Sequence, residues 1–329
     1  MADADRGLID RFGRRVDYLR LSVTDRCDLR CSYCLPRGFH GFAGPAHWLS
    51  FEEIERVVSA FARLGVGRVR LTGGEPLVRA RLPELAGRLG RLPGIRDLSL
   101  STNGTRLAEH AGGLRQAGVS RLNVSLDSLT RERIRAITGR DALPRILAGL
   151  EAAKRLGFAP IKINMVVLKG VNDDEIDAMA AYCMEQGFIL RLIESMPMGI
   201  SGRNTPFTDL QPIVARLKRK YGLVDGVISG GGPARYLKSA DGRFSLGFIT
   251  PISRHFCGAC NRVRLAVDGA LYLCLGQEDK VELAPLLRGR ATDDELAAAI
   301  RGAIGNKPER HDFSQPARPI VRVMAQTGG

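Results

Sequence analysis

The sequence predicts an α/β protein, an incomplete (βα)6 barrel of the TIM type followed by a C-terminal α+β extension. Three observations carry that reading. Between residues 18 and 194 a short β-branched or alternating run, a turn and a helix-period segment recur six times, as expected for parallel strands joined by right-handed helical crossovers. Polar residues gather at one end of these strands. Asp25, Gly73 to Glu75, Asn103, Asp127 and Glu194 all fall at or just past a strand's carboxyl end, where barrel enzymes assemble their sites. An open doubly wound sheet would use the same units, and this placement favours the barrel. After Glu194 the theme stops, which marks the start of a second region.

Taken in order, residues 1–17 form an N-terminal extension without an apolar core of the kind a secretion signal needs. The strands are expected at 18–24, 68–72, 97–101, 121–125, 161–168 and 189–194. Helical periodicity fills 51–65, 82–92, 106–118, 143–158 and 173–187, several of these segments preceded by Ser, Thr or Asp caps. Together 18–200 make the barrel. The Gly/Pro/Ser/Asn-rich run from Ser195 to Asp209 reads as a linker. In the second region, 201–316, we expect a helix near 209–221, a glycine-rich turn at 230–232, a strand FSLGFI, and a hairpin VRLAVDGALYLCL turning at Asp268-Gly269. Two closing helices and an unstructured tail, 317–329, complete the chain.

The 329 residues include 49 Lys and Arg against 35 Asp and Glu, a formal charge of +14. Such a field concentrates anions at a basic cleft. The arginines are dispersed, at Arg20, Arg68, Arg70, Arg191, Arg262 and Arg264 among others, with no Lys/Arg block of the type that forms nucleic-acid-binding arms. A small anionic substrate is therefore expected, not nucleic acid. No run of about 18 apolar residues exists to cross a membrane, so the expected setting is the cytoplasm.

Six of the seven cysteines fall in two tight groups, which argues for metal and against a disulfide framework. Cys183, inside a helical stretch, reads as a small core residue. Cys27, Cys31 and Cys34 form C-x3-C-x2-C after the first strand. Three thiolates without a close fourth ligand suit an iron–sulfur cluster with one iron left open; His40 could instead close a zinc site. Thr72-Gly73-Gly74-Glu75-Pro76 follows the second strand, where glycines admit a ligand to the backbone and a carboxylate can bind an ammonium. The cysteine spacing, Tyr33 before the last cysteine and the GGEP segment resemble the radical S-adenosylmethionine (SAM) superfamily. That resemblance implies a [4Fe-4S] cluster on Cys27, Cys31 and Cys34 that cleaves SAM to a 5'-deoxyadenosyl radical. It implies a SAM pocket containing Tyr33, Gly74, Glu75, Ser125 and Met196.

Cys257, Cys260 and Cys274 give C-x2-C-x13-C, the last returned by the predicted hairpin. A zinc site completed by His255 remains an alternative on spacing alone. Arg262 and Arg264, two apart in a strand, point to one face beside Cys260 and can hold phosphate oxygens bidentately. The two cysteine groups, with YLRLSVTDRCDLRCSYC, RLTGGEPLVR, STNG, NVSLD, RLIESM, CGACNRVRL and a terminal Gly-Gly in order, resemble the molybdenum cofactor biosynthesis protein A family across essentially the whole chain. Ser101 stands where that family usually has threonine, and 197–206 matches it least.

This second resemblance implies a second [4Fe-4S] cluster, on Cys257, Cys260 and Cys274, whose open iron binds guanine. It implies GTP contacts from Arg20, Arg70, Ser101, Lys162, Asn261, Arg262, Val263 and Arg264, with Arg68 and Arg191 facing the same cavity. Arg262, Arg264, Gly328 and Gly329 take catalytic roles, the glycines by threading into the site. The implied reaction forms 3',8-cyclo-7,8-dihydro-GTP after abstraction of the ribose 3' hydrogen. An external electron donor and a downstream cyclic pyranopterin monophosphate synthase are the implied partners, and a homodimer is left open. Two other functions compete: a peptide-modifying radical SAM enzyme with an auxiliary cluster, and a basic zinc-ribbon protein binding nucleic acid.

Overall fold

A computed structural model describes residues 7–36, 38–228, 231–313 and 319–328. The chain opens with a small antiparallel pair, β1 (Leu8–Ile9) and β2 (Arg15–Val16), then enters the main sheet at β3 (Tyr18–Ser22), all five of whose residues are buried. Helix α1 (Phe51–Arg63) follows, started by a capping box between Ser50 and Glu53 and burying Ile54, Val57, Val58 and Phe61 along one face. Next come β4 (Arg68–Thr72), α2 (Leu82–Gly90), β5 (Asp97–Thr102), α3 (Leu107–Gln116) and β6 (Arg121–Ser125).

Two helices, α4 (Arg131–Thr138) and α5 (Leu143–Arg155), link β6 to β7 (Ile161–Val167); α6 (Ile176–Gln186) leads to β8 (Ile189–Glu194). Helix α4 is absent from the sequence expectation because RERIRAIT is mostly charged. It forms by burying Ile134 and Ile137 and ending at Gly139 in the left-handed region, φ 75°. The expected linker contains α7 (Gly199–Asn204), and α8 (Gln211–Lys220) lies within the helix expected at 209–221.

Strands β9 (Val224–Gly226), β10 (Arg235–Lys238) and β11 (Ser245–Ile249) precede the hairpin of β12 (Arg262–Leu265) and β13 (Ala270–Tyr272), which turns at Gly269 with φ 89°. After β14 (Lys280–Glu282) come α9 (Ala284–Arg288) and α10 (Asp293–Gly305), the latter with a Thr292/Glu295 capping box. The tail is more ordered than its composition suggests, carrying α11 (Met324–Thr327).

Twelve strands join in one sheet, ordered β14-β13-β12-β3-β4-β5-β6-β7-β8-β11-β10-β9. The six from β3 to β8 are parallel and run in sequence order, so right-handed crossovers put their helices on one face. Consecutive packing of α1 on α2, α2 on α3 and α3 on α5 agrees. The other face is left free of those helices. β12 extends the sheet in parallel beside β3, and β11 does so beside β8, so the second region builds onto both edges of the first.

Candidate active site

A cavity of about 270 Å³ is lined from the carboxyl ends of the strands and by all six clustered cysteines. The loop after β3 carries Cys27, Cys31 and Cys34, and its backbone is tied to the next loop: Gly74 N donates to Thr24 O (2.8 Å) and Glu75 N to Arg26 O (2.7 Å). A Cβ on Gly73 would lie 2.2 Å from Thr24 O, and one on Gly74 would lie 2.3 Å from Arg26 O. The glycine pair is thus required by backbone-to-backbone contact. Both glycines also line the cavity.

The three thiols share one field. Burial, with Glu75 and Cys34 nearby, pushes Cys27 up to about 12, burial and Asp127 do the same to Cys34, and burial with Cys34 and Asp127 raises Cys31. Thiols that oppose one another's ionisation become thiolates only beside a bound cation, so this donor set suits an iron–sulfur cluster. The second set lies in the opposite electrostatic setting. Burial raises the Cys260 thiol, yet Arg262 and Lys307 outweigh it and bring the group down to about 7; Cys274 is raised by burial against the pull of Lys307.

Among the described residues no three His, Cys, Asp or Glu side chains are gathered to hold one metal ion. His311 lines the cavity, its Nε2 2.8 Å from Pro251 O, but the two histidines that the spacing offered as fourth zinc ligands do not. His40 is exposed, and His255 lies edge-on to His311 with ring centroids 6.1 Å apart, neither His40 nor His255 lining the cavity.

Tyr33 lines the cavity and donates to Asp127 Oδ2 (2.8 Å), whose Oδ1 accepts from Val166 N (2.9 Å). Ser125 and Met196 also line it. Glu75 does not. Fully buried and pushed up to about 7 by that burial, its carboxylate accepts from Leu77 N (3.0 Å), Thr102 Oγ1 (2.7 Å) and Asn103 N (2.6 Å), stitching the ends of β4 and β5 together. Asn103, noted in the sequence only for its place at a strand end, reaches the cavity and donates to Asp28 Oδ1 at 2.7 Å.

Strand register creates a row of guanidinium groups. Arg264 is the cross-strand partner of Arg20, and Arg20 of Arg70, so equivalent positions on β12, β3 and β4 project to one side. Arg262, two residues before Arg264, and Arg191 on β8 also line the cavity. All five are buried, and among the described residues none is ion-paired; Nε of Arg20, Arg191 and Arg262 has no partner at all. Burial and then neighbouring charge push Arg264 down to about 9, Arg191 to about 10, and Arg20 well below the usual arginine range. Cations so arranged stabilise a polyanion.

Ser101 and Val263 line the same space. Lys162 and Asn261, expected to touch the substrate, do not line it: Lys162 Nζ donates to Tyr236 Oη (3.3 Å), and Asn261 Nδ2 to Asp17 Oδ1 (2.8 Å). Arg68, expected to face the cavity, instead ion-pairs with Asp17 at 2.9 Å and does not line it. Cys183 is a buried core residue of α6. The tail enters beside the arginines. Gly328 O accepts from Arg264 Nη1 (2.7 Å), and a Cβ at Gly328 would lie 2.4 Å from Thr72 Oγ1; Gly329 lies outside the described residues. Val323 and Ala325 pack on Leu35, Phe39 and Phe42 of the first cysteine loop. Lys307 and Phe256, which line the cavity, carry no motif by which the sequence could have flagged them.

A sequential parallel sheet with a three-cysteine loop after its first long strand, opening on a cavity at the strand ends, defines a protein of the radical SAM class. Residues 21–183 match the Radical SAM superfamily, and residues 188–313 match Molybdenum Cofactor Synthesis C. The chain belongs to the GTP 3',8-cyclase family. It is 46% identical to the GTP 3',8-cyclase of Ectopseudomonas mendocina over 98% of both chains, and 46% identical to GTP 3',8-cyclase 2 of Pseudomonas aeruginosa over 99% of this chain and 100% of that one. The enzyme of that name from Erythrobacter litoralis is 45% identical over 98% of each. Among solved structures, Streptococcus suis SuiB bound to S-adenosylmethionine shares the fold, with TM-score 0.61 at 16% identity over 87% of this chain and 68% of that one. Among the described residues no helix is long and apolar enough to cross a membrane.

Proposed function

We propose that this chain converts GTP to 3',8-cyclo-7,8-dihydro-GTP by radical SAM chemistry, an early step of molybdenum cofactor biosynthesis. One observation carries the reading: two three-cysteine sets and five unpaired buried arginines line a single cavity. The sheet is read as the incomplete barrel, with 18–200 as its functional unit, 201–316 as the auxiliary-cluster region, and 1–17 and 317–329 as extensions. Cys27, Cys31 and Cys34 would hold one [4Fe-4S] cluster with SAM, and Cys257, Cys260 and Cys274 a second. Bound there, the first cluster and SAM supply the hydrogen-abstracting radical.

The chain's own part is orientation and exclusion of water. Tyr33, Gly74, Ser125 and Met196 surround the SAM side; Glu75 acts there by fixing the two strand ends. Arg20, Arg70, Arg262 and Arg264 take the triphosphate, assisted by Arg191, while Ser101 and Val263 border the nucleotide and Lys162 and Asn261 back the wall. Arg264 has a double duty, since it also holds Gly328. Gly328 closes the arginine end, and Gly329 is taken to share its catalytic role. The reading further implies an external electron donor, a downstream cyclic pyranopterin monophosphate synthase and a cytoplasmic setting, with a homodimer compatible.

The test is anaerobic reconstitution followed by incubation with SAM, reductant and GTP. About eight irons per chain, as two four-iron clusters require, and GTP-dependent formation of 5'-deoxyadenosine with a cyclised nucleotide are expected. Zinc in place of iron, or 5'-deoxyadenosine formed without any change in GTP, would overturn the assignment.

A further inference from the structure

Lys307 stands just after α10, 1% exposed, yet it lines the cavity beside the second cysteine set. Its Nζ donates to the carbonyl of Leu273, the residue before Cys274. No carboxylate is ion-paired with it among the described residues, in contrast to the buried Arg14 nearby, which pairs with Asp10 at 2.6 Å. Burying an unpaired ammonium costs several kcal/mol, so the site is built around an anion that the side chains alone do not provide.

The position is also actively held. Arg14, from the β1–β2 hairpin, donates to Cys257 O (2.9 Å), Pro308 O (2.6 Å) and Glu309 O (2.6 Å). One side chain thereby pins the segment following Lys307 to the first cysteine of the set. At the first cysteine set Arg30 Nη1 is spent on the carbonyls of Cys27 (2.6 Å) and Leu29 (2.9 Å), and the charges acting on the thiols are those of Glu75, Asp28 and Asp127, with the neighbouring cysteines. The two sets thus differ in the sign of the fixed charge acting on their thiols.

We propose that Lys307 is a positioning residue, a fixed counter-cation that acts with Arg262 on the second cysteine set, stabilising its thiolates and making the iron–sulfur cluster held there easier to reduce. This rests on the second-cluster reading above. The step concerned is addition of one electron from an external donor, with no bond made or broken; a nearby positive charge stabilises the reduced, more negative form.

The test is a dithionite-poised redox titration, followed by electron paramagnetic resonance, of the reconstituted full chain. It is made with Cys27, Cys31 and Cys34 intact and again with all three replaced by Ala, so that the second cluster is seen alone. Lys307→Met keeps the length and removes the charge; Lys307→Arg keeps the charge. With Met, reduction of the second cluster should become at least tenfold less favourable, about 59 mV for a one-electron couple, with the first cluster unmoved; Arg should recover most of the shift. Loss of iron from the second set in the Met variant but not the Arg variant would also support the proposal, because only the charge separates them.

An unshifted potential in the Met variant overturns it, as does loss of iron from both variants, which would make the role one of shape. An unshifted potential with at least tenfold weaker GTP binding would make Lys307 a phosphate ligand instead. Four irons in the unsubstituted chain would sink the second-cluster reading itself, a result separable from all of these.

Discussion

Arg262 and Arg264 sit two apart on β12 with their guanidinium groups in the cavity. A hydrogen bond to a charged group contributes about 1.5–3 kcal/mol, so replacing both with Ala should weaken GTP binding by a hundredfold or more while iron content stays near that of the parent. Anaerobic calorimetry beside an iron assay measures both, and unchanged affinity would refute the phosphate assignment. Lys162 makes a pH prediction. Burial, then Arg191, Arg121 and Arg70, push its ammonium down from 10.5 to about 7. Between those values the unfolded chain holds a proton that the native chain has released. Stability from this group therefore rises with pH from about 7 to 10.5, with a slope of at most about 1.4 kcal/mol per pH unit. Lys162→Met should remove that rise from anaerobic melting curves taken between pH 6.5 and 10; an identical pH profile in the variant would contradict it.

At the scale of elements, loops that meet backbone to backbone leave no room for a side chain. Gly74→Ala would drive a Cβ into Arg26 O, one residue before Cys27. We expect this variant to lose about four irons, those of the first set, and retain the second; full iron content would show that the loop can shift at little cost. The tail depends on Arg322, which is buried over the ring of Tyr272 at 4.0 Å and donates to Leu275 O (2.7 Å), Gln277 O (3.0 Å) and the Glu278 carboxylate (2.8 Å). Tyr272 is the cross-strand partner of Arg264, which holds Gly328, so both ends of the segment 322–328 are fixed to one hairpin. Glu278 keeps contact with solvent, so the loss on replacing Arg322 falls mainly on the partly buried carbonyls of Leu275 and Gln277 left without a donor. Arg322→Met should make the tail accessible to limited proteolysis and lower turnover with iron content retained, and a tail as resistant as the parent's would disprove the clamp.

For the whole molecule, the second region completes the edges of the first. β3 is buried throughout because β12 covers its outer edge, and β8 is covered in the same way by β11. A chain ending at residue 200 would expose two long apolar strand edges, a recognised route to aggregation. We expect such a fragment to be insoluble, or to associate in sedimentation analysis; a monomeric, iron-binding 1–200 would mean that the two regions are independent domains.

The sequence by itself determined the features whose signals are local: the six parallel strands, three of them to the residue, the helices with strong apolar periodicity, the Asp268-Gly269 hairpin and the two cysteine groups. Local spacing carries these, since a strand, a cap or a C-x2-C loop is specified within a few residues. It missed α4 and the order in the tail, because RERIRAIT and VMAQT acquire their apolar faces only from distant partners. Only the tertiary structure decided which arginines share the cavity, because strand register aligns Arg264 with Arg20 and Arg70 while Asp17 draws Arg68 away. It also decided that Glu75 spends its carboxylate on backbone and hydroxyl donors, and that Lys307 reaches the Leu273 carbonyl, next to Cys274, across 33 residues of intervening chain. Charge and hydrogen-bond satisfaction are settled in three dimensions, by groups that the linear order keeps far apart.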